Sequence, residues 1–392
     1  MPDGALVKLL EDLLSESVRE ATAREAAAFD EAVPPGTPVI LFGAGNLGRR
    51  TLHGLRRLGT PPIAFADNSQ RLWGTQIEGV PVLAPADAVA HFPSAAFIVT
   101  IWTGEGWDKM GQRCAQLLGL GCSRVIPFGL LFWKHPDIFL PHYAMDLPHL
   151  VLEDAETVRA VFDLWEDEAS RREYVEQVRW RLHHDFDSLP DPVKTEIYFP
   201  DDIFLTRDDE VFVDCGAFDG DTLRRFLHHR DGQFKQILAF EPDPNNFRKL
   251  EQYVASLPSQ QSELIELHQT AVGARREIVR FDAMGNEASF VGQGSMEVQS
   301  IPLDEVCQGL APTYLKMDTE GSEPDALQGA RKVIGMHVPA LAICSYHRQD
   351  HLWRVPTLIR ASSDQYCYFL RPQLLDVWDL VCYAVPRSRL SN

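Results

Sequence analysis

At 392 residues the chain is long enough for two or three domains, and 45% hydrophobic residues allow each a sizeable core. With 56 Asp and Glu against 37 Lys and Arg, the formal charge of −19 argues against a nucleic-acid or anionic-membrane partner, since phosphate binding needs a basic face. The seven cysteines (114, 122, 215, 307, 344, 367, 382) show no CxxC or other metal-ligand spacing and read as reduced core residues. No run of ~18 apolar residues marks a membrane span and no cleavable leader is visible, so the expected compartment is the cytoplasm.

Leu6, Leu9, Leu10, Leu13, Leu14 and Val18, continued by an Ala-rich run to Phe29, have helical spacing. They predict an N-terminal helix within 1–34, packed on its own domain or used for docking or dimerising; a homo-oligomer stays open. VPPGTP (Val33–Pro38) breaks it. Val39–Phe42 then reads as a buried strand, and Gly43-Ala-Gly45-Asn-Leu-Gly48 opens a helix to about Leu58. Ile63–Ala66 returns as a strand ending in Asp67, 67 − 48 = 19 positions past the last glycine, the spacing of a ribose contact. Strand, helix, strand and acid predict a Rossmann-like lobe over 35–130, with Gly43, Gly45, Gly48 and Asp67 as a second nucleotide site. The stretch Asp67–Leu83 resembles the N-terminal nucleotide-sugar-binding domains of certain sugar acyltransferases, with Ala96–Thr100 and Val125–Ile126 as further strands. Such a lobe holds a nucleotide or nucleotide-sugar, or is a scaffold that binds nothing.

Residues 131–195 read as a helical bridge. An aromatic and Pro-rich stretch is followed by apolar positions at Val158, Val161, Phe162, Trp165, Tyr174, Val178 and Leu182. The adjacent pairs His183-His184 and His228-His229 do not share a helix face, so neither suits a metal and both read as solvated.

The stretch that organises the rest is Val211–Thr222, VFVDCGAFDGDT, reached through YFPDDIFLTRDDE (Tyr198–Glu210), which is placed to close over a ligand. Val211–Val213 is the apolar run of a fully buried parallel strand, and ligands of open α/β sheets bind beyond such strand ends. Asp214, Gly216, Asp219, Gly220 and Asp221 make a close-approach loop with three carboxylates and no cation, which suits a positively charged or polyhydroxylated ligand better than a pyrophosphate. Gln236–Phe240 is the next strand and ends in Glu241, 241 − 214 = 27 positions after Asp214. A carboxylate there accepts from both hydroxyls of a ribose. Acidic loop and ribose acid together point to S-adenosylmethionine.

VFVDCGAFDGDT, EPDPNNF from Glu241, TAVG at Thr270–Gly273, SIPLDEV at Ser300–Val306 and YLKMDTEGSEPDALQGA at Tyr314–Ala330 resemble, in order, the FkbM family of S-adenosylmethionine-dependent O-methyltransferases. The resemblance implies an α/β fold whose C-terminal lobe, 196–386, is a class I methyltransferase sheet of seven strands with an antiparallel edge hairpin. Asp364–Arg371 and Val377–Val385 are placed to form that hairpin. It further implies that Asp243 and Ala271 join the cofactor contacts, and that the acceptor is a small molecule bearing a sugar or secondary-metabolite hydroxyl. Glu277–Pro302 reads as a strand–turn–strand insertion around MGNEAS and VGQGS at the acceptor side.

Asp318, Glu320 and Glu323 follow the strand Tyr314–Met317, and His347 follows the strand Ala340–Cys344. The strand-end rule brings these to the same edge as Asp214 and Glu241. A hydroxyl is a poor nucleophile until its proton is taken, so His347, or Asp318 with a raised pKa, reads as the base, with Glu320 beside them. Competing readings stay open: Glu320 and Glu323 could charge a helix N-terminus, and His347, His351 and Asp318 could hold a divalent ion, although no metal is assigned. Lys316, inside an apolar strand, pairs with a carboxylate or reaches the ligand. Two rival functions remain: an NAD(P)-dependent sugar oxidoreductase using Gly43–Asp67, weakened by the lack of a Tyr-x-x-x-Lys pair, and a non-catalytic nucleotide-binding module.

Overall fold

The computed structural model describes residues 3–103, 108–282, 290–291 and 296–391. The chain divides into two compact units. The first comprises Met1–Glu156, Val175–Asp191 and Leu374–Trp378; the second comprises Thr157–Tyr174, Pro192–Gln373 and Asp379–Asn392. The segment 131–195, read from sequence as one bridge, is therefore shared between the two.

In the first unit the N-terminal periodicity is carried by two helices, Asp3–Leu13 and Val18–Ala32. The break has a local cause. Ser17 and Glu20 form a reciprocal capping box, Ser17 Oγ accepting from Glu20 N at 3.2 Å and the Glu20 carboxylate accepting from Ser17 N at 2.9 Å. The strands β1 (Val39–Phe42), β2 (Ala64–Ala66), β3 (Gln76–Ile77), β4 (Val80–Leu83), β5 (Ala96–Val99) and β6 (Val125–Pro127) form one sheet in the order β3-β4-β2-β1-β5-β6. All pairs are parallel except the edge pair β3–β4. β1 and β5 are apolar and almost wholly buried, as expected for parallel strands covered on both faces.

One expectation fails in this unit. His184 is buried, not solvated: its ring stacks on Trp133 at 4.0 Å and neither ring nitrogen has a hydrogen-bond partner. The helix Glu168–His183 ends just before it, and His184 takes φ 52°, which turns the ring away from the face that adjacent spacing assigns to it. Burial, with Arg24 and His183 adding to it, lowers its pKa to about 3.

The second unit holds β7 (Val211–Cys215), β8 (Gln236–Phe240), β9 (Ile265–His268), β10 (Ala271–Val272), β11 (Glu277–Asp282), β12 (Phe290–Val291), β13 (Met296–Ile301), β14 (Tyr314–Met317), β15 (Ala340–Cys344), β16 (Tyr366–Pro372) and β17 (Leu380–Pro386). Seven of them form a sheet in the order β16-β17-β15-β14-β7-β8-β9. It is parallel from β15 to β9, and β17 runs antiparallel to both β15 and β16, so the edge hairpin is where the sequence places it. Three strands from the insertion Glu277–Pro302 join β10, which precedes it, in a separate four-stranded sheet, β10-β13-β11-β12, with β11 and β13 antiparallel. Its expected turns at Met284–Ser289 and Gly292–Ser295 lie outside the described residues. All seven cysteines are free thiols, six of them buried. Among the described residues no helix is long and apolar enough to cross a membrane.

Candidate active site

The order of the seven-stranded sheet reverses between β14 and β7, the position at which open α/β sheets bind ligands. Register sets Lys316 of β14 opposite Asp214 of β7, and side chains at paired positions project from the same face. Lys316 Nζ lies 3.1 Å from Asp214 Oδ1 and donates to Gly216 O at 2.6 Å, with both side chains fully buried. Burial pulls the ammonium down, but Asp214, Asp318 and Asp221 outweigh it and hold Lys316 above the ordinary lysine range. Burial pushes Asp214 up to about 6 against the pull of Lys316.

This corrects the sequence reading in two respects. Asp214, read as one of the loop's free carboxylates, is fully buried and paired with Lys316. The loop is also not free of cations, because Lys316 arrives from a strand distant in sequence and Arg224, in the helix Asp221–His229, ion-pairs with Asp219. Gly216 sits at φ 88°, and an added Cβ would stand 1.9 Å from Asp318 O, so glycine here permits the two strand ends to meet. Gly220 caps the helix that Asp221 begins. A carboxylate in that first turn is also favoured by the helix dipole.

Glu241, at the end of β8, accepts from Phe218 N at 2.9 Å and from Asp243 N at 2.7 Å. Its carboxylate is thereby fixed beside the loop; burial pushes it up to about 7 against those two amides. Asp243 caps the helix Pro244–Ala255 through Oδ1, which accepts from Asn245 N and Asn246 N, while its Oδ2 is buried without a partner. Ala271 is drawn into the four-stranded sheet, where it packs with Val298.

The first unit repeats the arrangement at Glu241. Asp67, just past β2, accepts from Ala44 N at 2.8 Å, in the glycine loop, and from Ser69 N at 2.7 Å, two residues on. Gly48 serves packing, since a Cβ would lie 2.0 Å from Gly43 O. Gly43 is at φ 112° and would strike Ile101. Gly45 has no such reason: φ is −76° and nothing lies within 4 Å of the missing Cβ. It stands at the N-cap of the helix Asn46–Arg57, a position that suits glycine.

The groups expected to handle the acceptor come together at the ends of β14 and β15. His347 is 3% exposed, with Nδ1 2.9 Å from Glu323 Oε1 and Nε2 3.4 Å from both Asp318 Oδ1 and Glu320 Oε2. Glu323 opens the helix Glu323–Gly329 but does more than charge its terminus. It is fully buried, accepts from Thr319 N at 2.7 Å and Gly321 N at 3.2 Å, and faces His351 Nδ1 at 3.2 Å. His351 is thus turned to Glu323 and is not among the groups around Asp318, which removes the His347–His351–Asp318 ion site. Burial opposes charge on His347, but Glu323, Glu320 and Asp318 outweigh it and raise its pKa to about 10. Glu323 is held well below the usual carboxylate range: burial is outweighed by its two histidines. Burial, then Asp318 and Glu323, push Glu320 well up against the pull of His347. At neutral pH His347 is therefore an imidazolium in this arrangement, which corrects its reading as a base poised near pH 7.

Sequence reasoning missed Tyr198. Its hydroxyl donates to Asp318 Oδ2 at 3.0 Å and lies 3.5 Å from Cys344 Sγ, while its ring sits 5.2 Å from Lys316 Nζ. No periodicity marks it, because its partners lie more than a hundred positions away. The only available signal was its place in the segment leading into the glycine loop.

Residues 214–373 match the profile of the methyltransferase FkbM domain. Among solved structures, the methyltransferase FkbM from Methylobacillus flagellatus KT is 20% identical, with a TM-score of 0.75 over 94% of this chain and 99% of that one. That likeness shows the fold. UDP-D-quinovosamine 4-dehydrogenase from Vibrio fischeri is 19% identical over 23% of this chain and 76% of its own, with a TM-score of 0.20. A Methanococcus jannaschii fibrillarin pre-rRNA processing protein is 12% identical over 47% and 70%, with a TM-score of 0.28. Neither of these two bears on function here. No curated protein matches the chain.

Proposed function

From a chain that carries a methyltransferase FkbM domain, and is on that ground a methyltransferase, we propose an S-adenosylmethionine-dependent O-methyltransferase acting on a hydroxyl of a sugar, nucleotide-sugar or secondary-metabolite acceptor. The observation that carries the donor assignment is the acceptor-only lining at the end of β8. Glu241 is oriented by two backbone N–H groups with lone pairs to spare, and the neighbouring Asp243 Oδ2 is buried with no partner. Buried acceptors without donors favour a ligand rich in hydroxyl and ammonium groups. Glu241 and Asp243 would hold the ribose and its surroundings, and the Gly216–Asp221 loop the charged end, with Lys316 keeping Asp214 from adding a further full charge. Bound there, S-adenosylmethionine supplies a methyl group on positively charged sulfur and leaves as the neutral thioether.

The chain's own residues would align the acceptor oxygen and manage its proton. Asp318 and Glu320, both partly exposed, orient the hydroxyl, and Asp318 receives its proton. Tyr198 keeps Asp318 Oδ2 in place, so that Oδ1 is the atom presented. His347, held cationic by Glu323, balances the charge that collects on the two carboxylates. In the first unit, the fixed Asp67 and the open position at Gly45 support a second ligand, a nucleotide or nucleotide-sugar.

Thermal shift and labelled-donor assays test this reading. S-adenosylhomocysteine at a hundred times its Kd should stabilise the protein by about 2.7 kcal/mol, and label should pass from the donor to members of a sugar-nucleotide panel. A shift with NADH and none with S-adenosylhomocysteine would overturn the assignment in favour of an oxidoreductase.

A further inference from the structure

We propose that Asp318, Glu320 and His347 form a divalent-cation site that binds the acceptor hydroxyl, an assignment that rests on the methyl-transfer reading only for what the cation would hold. One ligand atom from each residue lies within 4.8 Å of the others, an imidazole nitrogen and two carboxylate oxygens. Three such donors leave open positions for oxygen ligands, and the mixed N/O set suits Mn2+ and its divalent neighbours.

The surrounding contacts distinguish this group from an ordinary cluster of acids. A metal-binding histidine almost always gives its other ring N–H to a carboxylate, and ligating carboxylates are themselves hydrogen-bonded. A carboxylate stands beside Nδ1 of His347, and Asp318 has a hydrogen-bond donor. Glu323, locked by Thr319 N and Gly321 N, faces His347 Nδ1 at 2.9 Å, so that Nε2 points between Asp318 and Glu320, where a cation would take the place of its proton. Tyr198 occupies Asp318 Oδ2, which leaves Oδ1 for the centre. His347 Nε2 and Asp318 Oδ1 are both buried atoms without a hydrogen-bond partner, although they stand 3.4 Å apart. A side chain 1% exposed, with an unpartnered nitrogen aimed at two carboxylates, is an arrangement a cation completes. A cation there also lowers the pKa of a bound hydroxyl. The proton then passes to water, and Asp318 changes from proton acceptor to ligand.

The full chain, stripped with EDTA and returned to chelator-free buffer, is titrated with Mn2+ while the electron paramagnetic resonance signal of free Mn2+ is followed. One Mn2+ per chain should bind. Glu320→Gln, at a partly exposed position, and His347→Gln should each weaken binding at least tenfold, with circular dichroism checking that both variants fold. Glu323→Gln and Tyr198→Phe, which act through the ligands, should weaken it by about 10- to 100-fold. No stoichiometric binding at millimolar Mn2+, or binding unchanged in Glu320→Gln and His347→Gln, overturns the site. S-adenosylhomocysteine binding is measured on the same samples. Its presence without Mn2+ binding sinks the cation alone, and its absence sinks the methyl-transfer reading and not the cation.

Discussion

Breaking the Lys316–Asp214 pair should give two single variants whose stability responds to pH with opposite signs. The charges are 3.1 Å apart, so with an effective dielectric of ~20 their attraction is about 5 kcal/mol. Asp214→Asn leaves a buried ammonium with the Gly216 carbonyl as its close acceptor, and removing one member of a buried pair costs about 3–5 kcal/mol. Lys316 can escape by giving up its proton. With an unfolded pKa of about 10.4, that route costs about 5 kcal/mol at pH 7 and about 2 kcal/mol at pH 9. The unfolded chain then binds the extra proton, so the stability of Asp214→Asn should rise by up to about 1.4 kcal/mol per pH unit over this range. Lys316→Met strands Asp214 instead. Its folded pKa climbs further above the unfolded ~3.9, the native state holds the extra proton, and stability should fall as pH rises from 5. The double variant should show neither slope and cost less than the sum of the singles. Urea unfolding at pH 5 to 9 measures all four proteins. Parallel pH curves for the two singles, or strict additivity in the double, would refute the pairing.

Three further outcomes follow from particular contacts. Gly48→Ala should destabilise by about 1–3 kcal/mol because its Cβ meets Gly43 O at 2.0 Å, whereas Gly45→Ala should change stability by under ~0.5 kcal/mol and lower nucleotide affinity; thermal melts with and without nucleotide separate them. His184, with a folded pKa of about 3 against an unfolded ~6.5, should cost up to about 1.4 kcal/mol per pH unit as pH falls between those values. Unfolding from pH 7 to 4 should show that slope, and its persistence in His184→Phe would place the acid lability elsewhere. Tyr198→Phe removes a hydrogen bond to a carboxylate, costing about 1.5–3 kcal/mol of stability. It should lower turnover while leaving S-adenosylhomocysteine affinity unchanged, and an equal loss in both would deny it a role confined to Asp318.

The chain order of local signals already determined the architecture. Apolar runs of four or five residues, each ending in glycine or acid and followed by helical spacing, specify parallel α/β units because period and turn chemistry act over a few residues. Glu241 and Asp67 were legible for that reason, being the first acid past a strand. Tertiary structure alone decided the electrostatics. Lys316 neutralises Asp214 through a strand register. Tyr198 reaches Asp318 across 120 positions, and His347 gains its charge from Glu323, Glu320 and Asp318 converging around one buried ring. Charge state depends on burial and on neighbours in space, and neither is written in spacing along a chain.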